Sequence, residues 1–370
     1  MTKRGDTILL RTCFQKGNLM SNYEKKKKVT FDDIAKYTGF SKTTISRYFN
    51  APDSLTLENQ EIIANALLSL DYKENKVARI LANGKTEFIG IIIPNLLNHY
   101  YSEMLNQILL TYERFGYKFL VFVGNEQEEA ERQYIRELLA YNIEGLIVLS
   151  PTLSSRELAD LQIPIVTIER EDRYVSSVNT DNYMGGVQAT SLLAKHDCNI
   201  LIHINSVFVT PERPAYGRIK GFLNLCEEKK LAHRLIYAAL NNPFEETQKS
   251  LVGILEEVDA SYTGLKKGIF ISGDTHANVF LNLLIRKYGS LPDDYLLVGF
   301  DDSPISREAV IPISTVGQQI DKMAYEAVSL LVEQMEERKK RRPVLLTEPV
   351  HKIITPILIR RETTEKATLS

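Results

Sequence analysis

The segment Ser41–Asn50 carries hydroxyl, amide and basic side chains that one face of a helix would share. A helix that starts after Ser41 turns four of them outward. These four are Lys42, Thr43, Ser46 and Arg47. An outward arginine can donate two hydrogen bonds to guanine O6 and N7, which is worth ~1–3 kcal/mol of base discrimination. Ser41 and Thr44 suit phosphate oxygens, which position a protein without reading sequence. The pattern predicts a surface that binds the DNA major groove.

Two helices joined by a tight turn must hold this surface. Thr30 is placed to cap a first helix, with Asp33 at the capping-box position. Gly39 supplies the positive φ that the turn requires, and Ser41 caps the second helix. Residues 57–70 have the apolar spacing of a third helix that closes a small core. The predicted core side chains between the first two helices are Ile34, Phe40, Ile45 and Tyr48. The alternative is an ordinary helical hairpin with a polar face.

The charge distribution is uneven along the 370 residues. Residues 1–86 hold 15 of the 45 Lys and Arg residues and 9 of the 47 Asp and Glu residues, a formal charge of +6. The remainder carries −8, which gives the net −2. A basic head on an acidic body favours a polyanionic partner for the head, although a chance asymmetry of solvated surfaces would look the same.

The chain has few groups that suit metal or covalent chemistry. Cys13, Cys198 and Cys226 are far apart and form no CxxC pair, so we expect no disulfide framework and no metal site. The six histidines are scattered, and no nucleophile motif occurs, so we predict no catalytic residue, no cofactor and no enzyme. We expect no membrane segment, a cytoplasmic location and a disordered leader at 1–28.

From residue 87 onward, short apolar runs alternate with helical stretches. Eight runs read as strands, beginning with 88–93 and ending with 295–300. Alternating strands and helices favour a parallel sheet, and eight or more strands suit two doubly wound subdomains better than one. We therefore predict a small all-α helix-turn-helix head and an α/β body. Ligands of such sheets lie beyond the carboxyl ends of the strands, here in the cleft between the subdomains.

Together with the helix-turn-helix, the segment 72–86 carries a resemblance to a known family. Its Asn-x-Val-Ala-Arg-x-Leu pattern resembles the hinge of the lactose/galactose repressor (LacI/GalR) family, and the likeness continues to about Arg361. By that resemblance Leu81 is a wedge into the DNA minor groove, Ala78 lies at a hinge-to-hinge contact, and Asn75 and Arg79 face DNA or cap the hinge. A helix of two turns is marginal alone in water, which fits a segment that orders on DNA. The alternative is a simple linker.

The resemblance also implies the domain boundaries and a body of periplasmic-binding-protein type. The head is 29–72, the hinge and linker 73–86, the effector-binding and dimerisation body 87–361, and the tail 362–370. Within the body, the N-subdomain is expected at 87–193 with 317–342, and the C-subdomain at 194–316 with 343–361. One departure from the family is Lys195-His196, where Gly-His is usual.

Seven side chains near predicted strand ends are candidates for effector binding. The resemblance assigns effector contacts to Asp301, Arg218 and Asp181, and places an aromatic at Tyr100 or Tyr101 under the ligand. The complete set is Tyr100, Tyr101, Asp181, Arg213, Arg218, Asp274 and Asp301. Charged groups bind hydroxyls strongly and a ring covers an apolar sugar face, so this set suits a polyol. An aspartate at such a position is otherwise a helix cap, and Arg218 an ion pair.

These features predict a DNA-binding repressor of a carbohydrate operon, controlled by a sugar or sugar phosphate. The predicted partners are double-stranded operator DNA, the small-molecule effector and a second copy of the chain in a homodimer. Thr30 and Asn50, at the ends of the helix-turn-helix, complete the predicted DNA-binding set. The alternative is a sugar-binding protein or a sugar-acting enzyme with no role on DNA.

Overall fold

The computed structural model of the chain describes residues 29–73, 86–170, 173–206, 209–240, 244–343 and 348–365. The chain divides into two compact units, Met1–Gly84 and Lys85–Ser370. We call the described part of the first unit the head and the second unit the body. The predicted leader and most of the predicted hinge lie outside the described residues.

The head is a bundle of three helices, as predicted. They are α1 (Phe31–Thr38), α2 (Lys42–Asn50) and α3 (Leu57–Ser69), with a single 3-10 turn at Pro52–Ser54. The fully buried side chains of Ile34, Ile45 and Ile63 meet with Ala66 at the centre. The apolar spacing of the three segments therefore forms the small core that holds the head together.

The body contains two six-stranded sheets. The strands are β1 (Phe88–Ile93), β2 (Lys118–Val123), β3 (Gly145–Val148), β4 (Ile165–Ile168), β5 (Ser176–Thr180), β6 (Ile200–Ser206), β7 (His233–Ala238), β8 (Lys267–Ile271), β9 (Tyr295–Asp301), β10 (Ser314–Gly317), β11 (His351–Ile354) and β12 (Ile357–Ile359). The first sheet has the order β11-β5-β4-β3-β1-β2 and is parallel throughout. The second has the order β12-β10-β9-β8-β6-β7, with β12 antiparallel to β10. These are the two predicted subdomains.

Helices cover both sheets. They are α4 (His99–Leu110), α5 (Tyr112–Phe115), α6 (Glu128–Ala140), α7 (Ser155–Ala159), α8 (Asn182–Ala194), α9 (Tyr216–Glu228), α10 (Phe244–Ser261), α11 (Asp274–Tyr288), α12 (Pro304–Glu308) and α13 (Ile320–Arg338). Short apolar strands buried on both faces are typical of such doubly wound sheets. Within the described residues, no helix has the length and apolar character that a membrane crossing requires.

The subdomain boundaries differ from the prediction in three places. Helix α8, expected in the N-subdomain, packs on the second sheet, because Ala189 and Leu193 belong to the core of the C-subdomain. Strand β11, expected in the C-subdomain, pairs in parallel with β5 of the first sheet. The predicted tail begins too early, since the buried Thr363 hydroxyl donates to the Leu297 carbonyl oxygen at 2.6 Å. The chain therefore crosses between subdomains near residues 181, 318 and 355.

Glycines let α8 and α9 approach closely. A Cβ on Gly186 would lie 2.3 Å from the Arg218 carbonyl oxygen, and one on Gly221 would lie 2.2 Å from the Tyr183 carbonyl oxygen. No larger residue fits there without moving a backbone. This packing fixes the start of α9, and with it Arg218, next to the first turn of α8.

Candidate functional site

The turn between α1 and α2 depends on one glycine and one cap. Gly39 has φ 75°, and its amide donates to the Ala35 carbonyl oxygen at 2.9 Å, which ends α1. The Ser41 hydroxyl oxygen accepts from the Thr44 amide at 3.1 Å and so begins α2. These local bonds fix the angle at which α2 leaves α1.

The predicted outer face of α2 points away from the core of the head. Lys42, Thr43 and Arg47 are exposed and Ser46 is half-buried, whereas Ile45 on the opposite face is fully buried. Lys42 pairs with Asp32 of α1 at 2.7 Å on the surface. The predicted contact face thus presents two cations and two hydroxyls to its surroundings.

Four other predicted DNA-binding side chains form bonds within the head. Thr30 donates from its amide and hydroxyl to Asp33 Oδ2 at 2.9 and 2.7 Å, the capping arrangement expected from the sequence. Ser41 and Thr44 share the N-cap of α2, and Asn50 Nδ2 donates to the Ser46 carbonyl oxygen at 3.0 Å. Asn75, Ala78, Arg79 and Leu81 lie outside the described residues.

A cleft of about 560 Å³ lies between the two subdomains of the body, within the range of ligand pockets. Five of the seven predicted effector side chains line it. They are Tyr100, Tyr101, Arg213, Arg218 and Asp301. They come from elements far apart in the chain, brought together at the carboxyl ends of β1, β6 and β9.

Arg218 is the most constrained of these side chains. It is 8% exposed, its Nε donates to Asn182 Oδ1 at 2.7 Å, and its NH1 donates to the Ser272 carbonyl oxygen at 2.5 Å. Its guanidinium lies 3.7 Å from the ring centroid of Phe300 and 3.6 Å from a carboxylate oxygen of Glu169. Arg218 therefore links the C-subdomain to a carboxylate of the N-subdomain across the floor of the cleft.

Asp301 ends β9 in a strained conformation. Its φ is 110°, outside the regions that non-glycine residues usually adopt. Its Oδ1 accepts from Gln318 Nε2 at 2.6 Å, and Gln318 Oε1 accepts from the Thr180 hydroxyl at 2.6 Å. Burial raises the pKa of Asp301 to about 7, although the nearby Arg218 guanidinium opposes the shift. The strain, the burial and the crossover Gln318 all converge on this carboxyl.

The structure places the other two predicted effector aspartates outside the cleft lining. Asp181 accepts from the Met184 amide at 2.9 Å and caps α8. Asp274 is fully buried and accepts from the Thr315 hydroxyl at 2.6 Å and the Ser303 amide at 2.9 Å. Burial raises the pKa of Asp274 well above its usual range, and the neighbouring Asp301 adds to the shift. Both side chains hold elements in place, the alternative that a helix-start position always carries.

Sequence reasoning missed Glu169, Gln318, Asn205 and Glu126, which also line the cleft. Glu169 follows directly after β4, with φ 54°, and its carboxylate accepts from the Thr180 amide at 2.5 Å and from Asn182 Nδ2 at 3.1 Å. The strand-end rule that selected Asp301 would have selected Glu169 as well. Glu126 is exposed at the mouth of the cleft, whereas Glu169 lies on its floor.

The two subdomains also touch directly beside the cleft. The Thr275 hydroxyl, in the first turn of α11, accepts from the His99 amide at 3.2 Å and donates to Asn98 Oδ1 at 3.2 Å. The His99 ring nitrogen Nδ1 lies 3.1 Å from the same hydroxyl oxygen. The starts of α4 and α11 thus meet through one threonine, and any change in the angle between the subdomains breaks these bonds.

Groups suited to other chemistry are absent or buried in the described part of the chain. No cluster of three or more His, Cys, Asp or Glu side chains there could hold a metal ion. Burial lowers the pKa of His203 to about 3, and the ring stacks on Phe270 with centroids 4.2 Å apart. His203 is therefore a neutral core side chain.

Two sequence-family models match the body. One is described as periplasmic binding proteins and sugar binding domain of LacI family and matches residues 86–206. The other is described as periplasmic binding protein-like domain and matches residues 193–363. Together they extend over both subdomains.

Several curated proteins are similar along most of the chain. The chain is 29% identical over 315 residues to the ribose operon repressor of Halalkalibacterium halodurans, covering 84% of this chain and 91% of the relative. It is 28% identical over 315 residues to the sucrose operon repressor of Pediococcus pentosaceus, covering 84% and 93%. The transcriptional repressor PurR of Vibrio cholerae is 24% identical over 327 residues, covering 86% and 95%.

Solved structures share the fold. The lac repressor dimer bound to operator and the anti-inducer ONPF aligns with a TM-score of 0.73 at 20% identity, over 91% of this chain and 99% of that one. A periplasmic binding protein/LacI transcriptional regulator from Alkaliphilus metalliredigens, complexed with D-xylulofuranose, aligns with a TM-score of 0.63 at 24% identity, over 76% and 100%. The two-subdomain architecture is common to all three.

Proposed function

This chain belongs to the LacI/GalR family of bacterial transcription regulators, and from that premise we propose that it is a sugar-responsive repressor that binds operator DNA. The ribose, sucrose and purine repressors among its relatives support this role. The observation that carries the proposal is the pairing of a helix-turn-helix with an exposed polar recognition face and a body whose ligand cleft lies between two crossed-over subdomains. We place the protein in the cytoplasm, where its DNA target is.

Helix α2 is the proposed recognition helix. Lys42, Thr43, Ser46 and Arg47 face the major groove, with Arg47 as the main reader of a guanine. Thr30, Ser41, Thr44 and Asn50 serve at the rim, where the same groups that cap the helices reach phosphates. The exposure of the outer face and the burial of Ile45 on the opposite face support this orientation.

The hinge carries the family's second DNA contact. We propose that Leu81 wedges into the minor groove, that Ala78 meets its counterpart in a second chain, and that Asn75 and Arg79 contact DNA or cap the hinge. Leu81→Ala would then weaken binding to the operator much more than binding to unrelated DNA. Equal losses on both duplexes would remove the wedge role, and competition gel shifts measure the two losses.

A homodimer is the proposed working form. One head makes few phosphate contacts, and a two-fold dimer matches the symmetry of a pseudo-palindromic operator. An apolar surface at the end of α4, formed by the exposed Leu109 and Leu110 with Tyr112, supports an interface in the N-subdomain. Analytical ultracentrifugation of the full chain should give twice the monomer mass of 42.1 kDa.

The cleft is the proposed effector site, lined by Tyr100, Tyr101, Arg213, Arg218 and Asp301, with Glu169 as an additional contact. Asp181 and Asp274 act by capping and bracing the elements around it. A ligand that prefers one angle between the subdomains shifts the population of DNA-binding chains. If it prefers the form that cannot bind DNA, it is an inducer. The cross-cleft bonds of Thr275 support two discrete arrangements.

A gel shift with the DNA upstream of the protein's own gene tests the proposal. We expect a complex at low salt that resists excess unrelated DNA and that Arg47→Ala weakens. A protein that retards no duplex at low salt would overturn the DNA-binding role. In that case the runner-up, a sugar-binding protein or sugar-acting enzyme without a role on DNA, would account for the cleft.

A further inference from the structure

The Tyr100 hydroxyl is a buried polar group that lacks a partner. Tyr100 lines the cleft and is 6% exposed, and its hydroxyl oxygen has no hydrogen-bond partner within the described residues. Burial raises the pKa of Tyr100 well above its usual range, and the charges of Glu169 and Asp301 add to the shift. The hydroxyl is therefore a neutral donor at physiological pH. Buried polar groups in folded proteins are almost always paired, so an unpaired one at a cleft points to a ligand.

Two buried carboxyl groups lie near this hydroxyl. Asp301 is 4% exposed, and the Glu169 side chain is 10% exposed. Both contribute to the electrostatic surroundings of Tyr100, as does Arg218. One phenol donor beside two carboxyl acceptors is a set that matches neighbouring hydroxyl groups on one ligand, because a hydroxyl both donates and accepts.

The cations on the cleft floor are already engaged by the protein. Arg218 donates to Asn182 and to the Ser272 carbonyl oxygen, and it faces Glu169. Arg170 NH2 donates to the Leu153 carbonyl oxygen at 2.5 Å, and its NH1 donates to the Ser150 carbonyl oxygen. The remaining arginine of the lining, Arg213, is exposed at the mouth.

The helix that starts at the cleft floor does not provide an anion site either. The first two amides of α4, those of His99 and Tyr100, donate to Thr275 Oγ1 at 3.2 Å and to Asn98 Oδ1 at 3.1 Å. A phosphate needs such amides or uncommitted cations. On this floor it would instead meet Glu169 and Asp301, and like charges at short range repel strongly in a desolvated site.

We propose that the cleft floor binds an uncharged polyhydroxy ligand, and that Tyr100 is the specificity-determining residue that donates its hydroxyl hydrogen to one ligand oxygen. Glu169 and Asp301 accept from neighbouring ligand hydroxyls. This inference rests on the proposed function, since it takes the cleft as the effector site. It selects a neutral sugar over a sugar phosphate, and it gives Tyr100 a hydrogen-bonding role where the sequence suggested an aromatic platform.

Isothermal titration of the full chain tests the ligand class with matched pairs of probes. The neutral probes are D-ribose, D-fructose and sucrose, and the charged probes are D-ribose 5-phosphate and D-fructose 6-phosphate. We expect at least one neutral probe to bind at least 10-fold more tightly than any phosphorylated one. Tighter binding of a phosphorylated probe, or binding of no probe, would overturn the assignment. The gel shift judges the DNA-binding role separately, so the two failures are distinguishable.

Tyr100→Phe tests the residue, because it removes one oxygen and keeps the ring. We expect ligand affinity to fall on the order of 10-fold, the effect of one lost hydrogen bond of about 1.4 kcal/mol. The ligand-free variant should melt at the same temperature or higher, since the lost hydroxyl had no partner within the described chain. An unchanged affinity would overturn the role of Tyr100.

Tyr117→Phe is the matched control. Tyr117 is a buried tyrosine of the same subdomain, remote from the cleft lining, and its hydroxyl donates to Glu336 Oε1 at 2.6 Å. We expect the opposite signature: a lower melting temperature and an unchanged ligand affinity. If Tyr100→Phe instead behaved as Tyr117→Phe does, the Tyr100 hydroxyl would be a structural group and the proposal would fail.

Discussion

The outer face of α2 takes all its side chains from one ten-residue segment, whereas the cleft gathers its lining from both subdomains of the body. On α2, Lys42, Thr43 and Arg47 are exposed and lie on the helix face opposite the head core. In the cleft, Arg218 and Asp301 are buried and bonded to other elements. The contrast separates two kinds of binding surface. A change on α2 should alter binding alone, and a change on the cleft floor should alter binding and folding together.

The largest effect on folding is expected from Arg218→Met. Removing the guanidinium leaves Asn182 Oδ1, the Ser272 carbonyl and the Glu169 carboxylate without a donor in a buried site. Breaking one partner of a buried pair costs ~3–5 kcal/mol, which urea unfolding measures. Arg234→Met is the control, because Arg234 forms an ion pair with Glu257 on the surface of the same subdomain and should cost less than about 1 kcal/mol. Equal losses would contradict the special role of the cleft floor.

Glycine substitutions sharpen the same contrast at intermediate size. Gly221→Ala drives a Cβ into the Tyr183 carbonyl oxygen and should cost roughly 1–3 kcal/mol. Gly39→Ala in the head meets no atom within 4 Å but must keep φ 75°, which costs ~1–2 kcal/mol. Gly253→Ala, in an open position within α10, should stabilise by ~0.5–1 kcal/mol. Thermal unfolding of the three variants checks the order, and a stabilised Gly221→Ala would exclude the close contact of α8 and α9.

Asp301→Asn should change how stability depends on pH. Because the pKa of Asp301 is raised from 3.8 to about 7, the folded chain holds a proton between about pH 4 and pH 7 that the unfolded chain has lost. This group therefore makes the free energy of unfolding fall as pH rises through that range. Asparagine resembles the protonated form, so the variant should gain on the order of 1–2 kcal/mol at pH 8 and little at pH 4. Identical pH slopes for variant and wild type in urea unfolding would rule out the raised pKa.

The smallest effect on folding is expected from Arg47→Ala, at most ~0.5 kcal/mol, because the side chain is exposed. Its effect on DNA should be larger, with a loss of ~1–3 kcal/mol of discrimination at one base pair. Binding to a library of operator variants measures this preference. A preference profile identical to that of the wild type would show that α2 faces the DNA in another register.

The head could be predicted almost completely from the sequence because its signals are local. A cap at Ser41, a positive-φ glycine at 39 and helical apolar spacing each act within a few residues. The strands β5 and β10 were missed for the opposite reason. They are fully buried yet rich in serine and threonine, and only distant partners satisfy these groups. For example, the Ser176 hydroxyl oxygen accepts from the Val350 amide at 3.0 Å.

The cleft could be predicted only in part. Strand ends identified Asp301 correctly as a lining residue, but the same rule applied to Asp274 selected a side chain that the buried Thr315 and Ser303 hold away from the cleft. Nor does the sequence say where the chain crosses between subdomains. That depends on α8 packing against α9 through Gly186 and Gly221, a contact between segments more than thirty residues apart.

The central claim is that one chain couples sugar binding in the cleft to DNA binding by α2. Fluorescence anisotropy of a labelled duplex from upstream of the protein's own gene, with and without a saturating sugar that binds the cleft, tests it most directly. The account predicts that this duplex binds roughly 10³-fold or more tightly than a scrambled one, and that the sugar changes this affinity by about 5-fold to 150-fold. Equal affinity for both duplexes, or a sugar that binds without changing DNA affinity, would contradict it.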